Sequence, residues 1–199
     1  MNARWKLTLT INLALVLVVA FFLAPRPVRA ATIVVPCGDV AALVAALNTA
    51  NSTSEATVIE LAAGCAYTLT VPNNTGYKGN NGLPQIGTDV TINGHGSTIQ
   101  CSTAPETRQF RIFQVNDWGK LSLNDVTLLN GYNDDMSYGI EKGGAIANFG
   151  QLVVMNSTFS NNHAGCGSAI FTDIPGVPLS TTARVTVTNS TFSNNPADG

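Results

Sequence analysis

A chain of 199 residues is enough for one ordinary domain and too short for two. Only 11% of it is charged while 45% is apolar, which excludes a disordered tail and a phosphate-binding surface, so no nucleic-acid partner is expected. The first thirty residues hold four of the ten bases (Arg4, Lys6, Arg26, Arg29) and no acid, which leaves six bases against twelve acids, a net −6, in the remainder and suits an extracellular protein.

Met1 to Lys6 is a short basic segment, and twelve apolar residues then run unbroken from Leu13 to Ala24. A membrane-spanning helix needs about 20. Pro25 and Pro27 break the run ahead of Val28-Arg29-Ala30, whose small residues suit a peptidase cut after Ala30. Residues 1–30 therefore read as a secretory signal, with an uncleaved anchor as the alternative. After cleavage the expected product is one secreted or cell-surface domain over residues 31–199, without a membrane partner: a cap over 31–56, coils over 57–195, and an uncapped C-terminal end.

Asp39 to Ala50 places Val40, Leu43, Val44 and Leu47 on one stripe at helical spacing, with Asp39 positioned to cap the N-terminus. Such a helix ahead of stacked strands most simply plugs their open end, as solenoids require for solubility.

From there on the chain repeats. Gln151-Leu-Val-Val-Met-Asn-Ser-Thr-Phe-Ser-Asn-Asn162 aligns without a gap on Arg184-Val-Thr-Val-Thr-Asn-Ser-Thr-Phe-Ser-Asn-Asn195, and more weakly on the segment from Lys120 to Gly131. An apolar pair heads each unit: Ile59/Leu61, Val90/Ile92, Leu121/Leu123, Leu152/Val154 and Val185/Val187, at steps of 31, 31, 31 and 33 residues. The strands are too short to bury one face alone, so successive units must stack at the strand spacing of about 4.8 Å. The expectation is an all-β, right-handed, single-stranded parallel β-helix of about five coils behind an α-helical cap, with Leu121, Leu123, Leu152, Val154, Phe159, Val185, Val187 and Phe192 inside; right-handed crossing is the rule for parallel strands. Asn156 over Asn189 and Asn161 over Asn194 are the candidate amide ladders at the corners.

Gly143-Gly-Ala-Ile146 followed by Phe159-Ser-Asn-Asn162 resembles the GGA[ILV] and FxxN pair of the polymorphic outer-membrane-protein repeats, carried by bacterial surface and secreted proteins of the pectin-lyase-like superfamily. Phe192-Ser-Asn-Asn195 is a second FxxN, and Gly167-Ser-Ala-Ile170 departs from GGAI by one residue. The opening Cys37-Gly-Asp-Val40, the cap stripe, Ile59-Glu-Leu61 and Tyr67-Thr-Leu-Thr70 are similar to the first coil of large bacterial β-helix proteins with a CSLREA-type start. The resemblance implies a right-handed β-helix in which Gly143, Gly144, Ala145, Ile146, Phe159, Asn162, Phe192 and Asn195 are the repeat motif. It implies no particular activity.

Export makes disulfides available to Cys37, Cys65, Cys101 and Cys166, which have no zinc-type spacing. Cys37 and Cys65 are the candidate pair, joining cap to first coil; Cys101 and Cys166 lie two coils apart, beyond disulfide reach of about 7 Å. Gly94-His95-Gly96 reads as a glycine turn rather than as the GHG of β-helix polygalacturonases, and His163 is the only other histidine. Asp134, Asp135 and Glu141 form the one acidic cluster, read as solvated loop acids with calcium as the minority alternative and no other cofactor expected. Lys120, Lys142 and Arg111 are base candidates between which no spacing selects, and Arg108 and Arg111 read as outward-facing. Asn51, Asn73, Asn156 and Asn189 stand in glycosylation-type triplets but are corner residues first.

No catalytic residue is assigned. The expected function is an exported non-catalytic β-helix, a surface or adhesin-like module that binds glycans or partner proteins; the alternative is a polysaccharide lyase or glycoside hydrolase. Convergence of three among Asp117, Asp125, Asp134, Asp135, Glu141 and Lys120 on one face would favour the enzyme. Because the last coil ends on an FxxN with no further strand, either a longer β-helix or end-to-end self-association is expected.

Overall fold

The structure, a computed structural model, describes residues 30–76, 79–106, 109–133, 142–173 and 183–197. The secretory signal expected over residues 1–30 falls almost wholly outside them, as do Arg108 and the acidic trio Asp134, Asp135 and Glu141.

The chain coils through three faces. On the first lie β1 (Ala31–Val35), β2 (Thr57–Leu61), the opening half of β6 (Asp89–Cys101), the opening half of β8 (Lys120–Leu129), β11 (Gln151–Met155) and β15 (Arg184–Thr188), all parallel and bonded in that order. The second face stacks β3 (Ala66–Leu69), the closing halves of β6 and β8, β12 (Thr158–Ser160) and β16 (Thr191–Ser193). The third stacks β7 (Phe113–Val115), β10 (Ile146–Asn148) and β14 (Ile170–Thr172). The outcome is a parallel β-helix of about four turns followed by a partial coil. An antiparallel pair, β4 (Asn74–Gly76) and β5 (Gly79–Asn81), and a parallel pair, β9 (Tyr132–Asn133) and β13 (His163–Ala164), complete the described strands.

Alternation along each strand fills the bore. Leu121, Leu152 and Val185 stack in one column and Ile59, Ile92, Leu123, Val154 and Val187 in the next. Ile99, Leu128, Phe159 and Phe192 form a third column, in which the Phe159 and Phe192 rings stack with centroids 4.8 Å apart. Phe159 is fully buried, whereas Val187 and Phe192 are each 44% exposed. Both were expected inside; they sit in the inward columns, but in the partial coil no described neighbour covers their free side.

One register differs from the repeat read in the sequence. Ile59 stacks on Ile92, and it is Thr57, not Ile59, that pairs with Val90. The first step is thus 33 residues rather than 31, and Leu61 pairs back with Val35. A two-residue slip keeps every inward residue inward, so strand alternation alone cannot detect it.

The helix α1 (Val40–Asn51) closes the N-terminal end. The Asp39 carboxylate accepts a 2.8 Å hydrogen bond from the Ala42 amide, satisfying a donor that the first turn leaves open. Leu43, Ala46, Leu47 and Ala50 are buried, and Val40 and Val44 pack partly against the same core. At its other end Asn51 donates to the Gln85 carbonyl (2.7 Å) and accepts from the Gly87 amide (3.0 Å), which ties the helix to the first coil. Cys37 and Cys65 form the disulfide, with Cα atoms 5.4 Å apart across 28 residues. Closing a loop of that length removes about 3.5 kcal/mol of denatured-state entropy.

The GGAI motif turns out to be a corner of close backbone approach. Gly143 has φ of +71°, and any Cβ on Gly144 would collide with the backbone of Ser168 and His163 on the next coil. Ala145 and Ile146 are fully buried behind it.

Candidate functional site

The two corners flanking the second face are each held by a column of left-handed residues. His95, Asp125, Asn156 and Asn189 have φ of 49°, 52°, 51° and 49°; Asn130, Asn161 and Asn194 have 60°, 52° and 51°. Asparagine tolerates this region better than most residues, which explains its recurrence. The amide ladders run mainly through the residues beside these corners, with Asn156 joining one from a corner position itself. At the first corner Asn156 donates to Asn124 (3.2 Å), Asn124 to Asn93 (3.5 Å) and Asn93 to Glu60 (2.9 Å). At the second, Asn162 is the inward amide: it accepts from the Gly131 N–H (2.8 Å) and donates to the Leu128 carbonyl (3.1 Å) and to Asn195 Oδ1 (3.0 Å).

Gly94-His95-Gly96 is the glycine turn expected, but it also carries a side-chain hydrogen bond to another coil. His95 Nε2 lies 2.7 Å from Glu60 Oε2, a partner 35 residues earlier in the chain. The Asn93 amide and, next, the His95 hydrogen bond hold the Glu60 carboxyl below its ordinary value of 4.5, outweighing the smaller upward push of burial. A lowered carboxyl stabilises the fold above its unfolded pKa, and that contribution is lost as pH falls through the folded value. Glu60→Gln should therefore melt with a flatter acid dependence below pH 4.5 than the parent chain; superimposable acid limbs in a pH series of thermal melts would refute this.

The remaining charged candidates are dispersed. Lys120 pairs with Asp89 (2.9 Å) on the first face. Lys142 pairs with Asp173 (3.3 Å) and sits 4.5 Å above the Phe171 ring on the third. Asp117 lies in the turn before β8 and Asp125 in the corner within it, so the strand Lys120 to Asn124 separates them by about 13 Å or more. Arg111 is not outward-facing as its sequence context suggested; it is fully buried. The β4–β5 pair folds over it, and a Cβ on Gly79 would collide with its guanidinium. Among the described residues no group of three metal-ligating side chains occurs. Cys101 is buried, its thiol pushed up to about 12 by desolvation, while Cys166 is exposed; neither is bridged.

Where the second corner opens outward, the structure forms a groove of about 420 Å³. It is lined by the segment Cys101, Ser102, Thr103, Ala104 and Pro105 with Gln109, and by Asn130, Tyr132 and Asn161. These residues come from three separate coils, which is why sequence reasoning did not bring them together. Their polar groups are hydroxyls, amides, one phenol and the Cys101 thiol, beside the apolar Ala104 and Pro105, with no carboxylate, lysine or arginine among the described lining residues. Asn161 also borders a second, shallower depression formed with His163, Asn194, Asn195 and Pro196. The Tyr132 and His163 rings stack across the two coils, 4.6 Å apart at 10°. Compared with protein-family models, curated proteins and solved structures, the chain finds no match, so its function has to be argued from this geometry.

Proposed function

We propose that the protein is an exported, non-catalytic β-helix module that binds glycans through the groove over Gln109, Asn130, Tyr132 and Asn161. The observation carrying this reading is the chemistry of the described lining residues: hydroxyls, amides and a phenol without formal charge, on a β-helix scaffold. Sugar hydroxyls both donate and accept, which amides and hydroxyls match. Export is supported by the N-terminal leader pattern and by the Cys37–Cys65 bridge, which persists in oxidising compartments. A glycosidase alternative would need two carboxyl groups roughly 5 to 10 Å apart across a sugar, and none of the described groove residues carries one.

The test is a titration of the signal-free chain against a panel of neutral and acidic oligosaccharides, with the same panel assayed for released reducing ends and unsaturated uronates. Binding is expected for neutral members, weakened roughly tenfold by Gln109→Ala, with no product released. Turnover of any panel member would overturn the non-catalytic reading.

A further inference from the structure

The outward side of the second face carries an array that the groove does not use. Thr98, Thr127, Thr158 and Thr191 stand one above another, one per coil, in a register that runs without a slip through the closing halves of β6 and β8, β12 and β16. Their spacing is the strand separation of about 4.8 Å. The first three are partly exposed and Thr191 is exposed. Two residues along each strand, roughly 6.8 Å away, a parallel column runs through Gln100, Leu129, Ser160 and Ser193. The left-handed corners on either side repeat nearly the same φ from coil to coil, and amide ladders tie them together. Side-chain ladders of this kind hold a many-stranded sheet flat.

The threonine hydroxyls are left open. Stacked hydroxyl and amide side chains ordinarily bond across strands, and the second column does so: Gln100 donates to Thr68 (2.9 Å) and Ser193 to Ser160 (3.3 Å). No side-chain hydrogen bond within the protein engages the hydroxyl of Thr98, Thr127, Thr158 or Thr191. A β-branched side chain is also stiff at χ1, so each methyl and hydroxyl keeps a fixed direction. We propose that this face binds ice. Rows of oxygen atoms along the a axis of ice repeat within a few tenths of an ångström of the strand separation, so each rung meets an equivalent water. Free hydroxyls at that repeat take the place of lattice hydrogen bonds, and the methyls between them shed loosely held water, so a first layer in lattice order forms at small entropic cost. A crystal surface repeats in two directions, as this sheet face does, whereas a single dissolved chain repeats in one. The activity rests on the outward threonines and is independent of the groove round the second corner.

Ice-recrystallisation assays and observation of single ice crystals in the signal-free chain test this, with serum albumin at equal mass concentration as the inert control. The parent chain should slow grain growth several-fold relative to albumin and shape single crystals into forms bounded by planes that contain the a axis. Thr127→Tyr and Thr158→Tyr each stand a ring out of the sheet plane in the middle of the column and should remove most of the effect. Thr91→Tyr, on the outward side of the first face where Thr91 pairs with Ser122, should leave it intact. Equal far-ultraviolet circular dichroism would show which variants fold. Grain growth no slower than in albumin, or crystals that remain rounded discs, would overturn the proposal. So would folded second-face variants that keep full activity, or an equal loss in Thr91→Tyr, which would place the effect elsewhere. Gln109→Ala should leave ice shaping unchanged, so failure here and failure of the glycan reading are told apart.

Discussion

Leu47→Asp should destabilise the chain by more than about 4 kcal/mol, and Leu43→Asp should do the same. Both side chains are fully buried where α1 meets the first coil. An aspartate there loses the apolar contact and buries a carboxylate within an apolar cluster, a combination that exceeds about 4 kcal/mol. Typical domains hold only about 5–15 kcal/mol in all. The effect spreads beyond the helix, because an uncovered first coil exposes the row led by Ile59 and Tyr67, both now fully buried. Leu47→Met, which conserves volume, should cost less than about 1.5 kcal/mol. Circular dichroism melts decide the matter: aspartate variants that melt within a degree or two of the parent would show that α1 is an accessory rather than a cap.

The second large effect belongs to a polar residue. Asn162→Ala should lower stability by about 3 kcal/mol, more than most exposed-residue changes and comparable to deleting a core leucine. The reason is what the amide leaves behind. Its removal strands the buried Gly131 N–H and takes a donor from the Leu128 carbonyl on one coil and from Asn195 Oδ1 on the next, which keeps only the Asn162 backbone N–H. Asn161 next door gives a sharp contrast, since its side chain is exposed and its main role is to hold a φ of 52°. Asn161→Gly should therefore be nearly neutral, glycine adopting that conformation freely. Denaturant midpoints for the two variants settle it; equal shifts would mean that the two neighbouring asparagines are not divided between backbone and interior in this way.

That division also shows where sequence reasoning reaches its limit. The repeat, the inward columns from Val90 onward, the cap stripe and the Cys37–Cys65 pair are legible because each depends on local period or on order along the chain. Which of Asn161 and Asn162 turns inward depends on a left-handed residue that reverses the alternation, and the letters are the same at both positions. Arg111 read as exposed because long cations usually are, and nothing nearby in sequence announces that β4 and β5, some thirty residues upstream, will cover it. His95 was legible as a turn but not as the partner of Glu60, since the two meet only when coils stack. The groove is the extreme case: residues near positions 102, 109, 130 and 161 become neighbours only through the pitch of the helix.

The disulfide sits at one end of a structure whose coils touch only the coils beside them, and this gives the molecule a direction. In such an array, loss of structure travels by fraying from the least secured unit and advances one interface at a time. The Cys37–Cys65 bridge and the Asn51 bonds fasten the first coil to its cover. The coil holding Val187 and Phe192 has a described neighbour on one side only. Amide hydrogen exchange should accordingly form a gradient along the axis, fastest in β15 and β16 and slowest in β2 and β6, like a zipper with its stop at the N-terminal end.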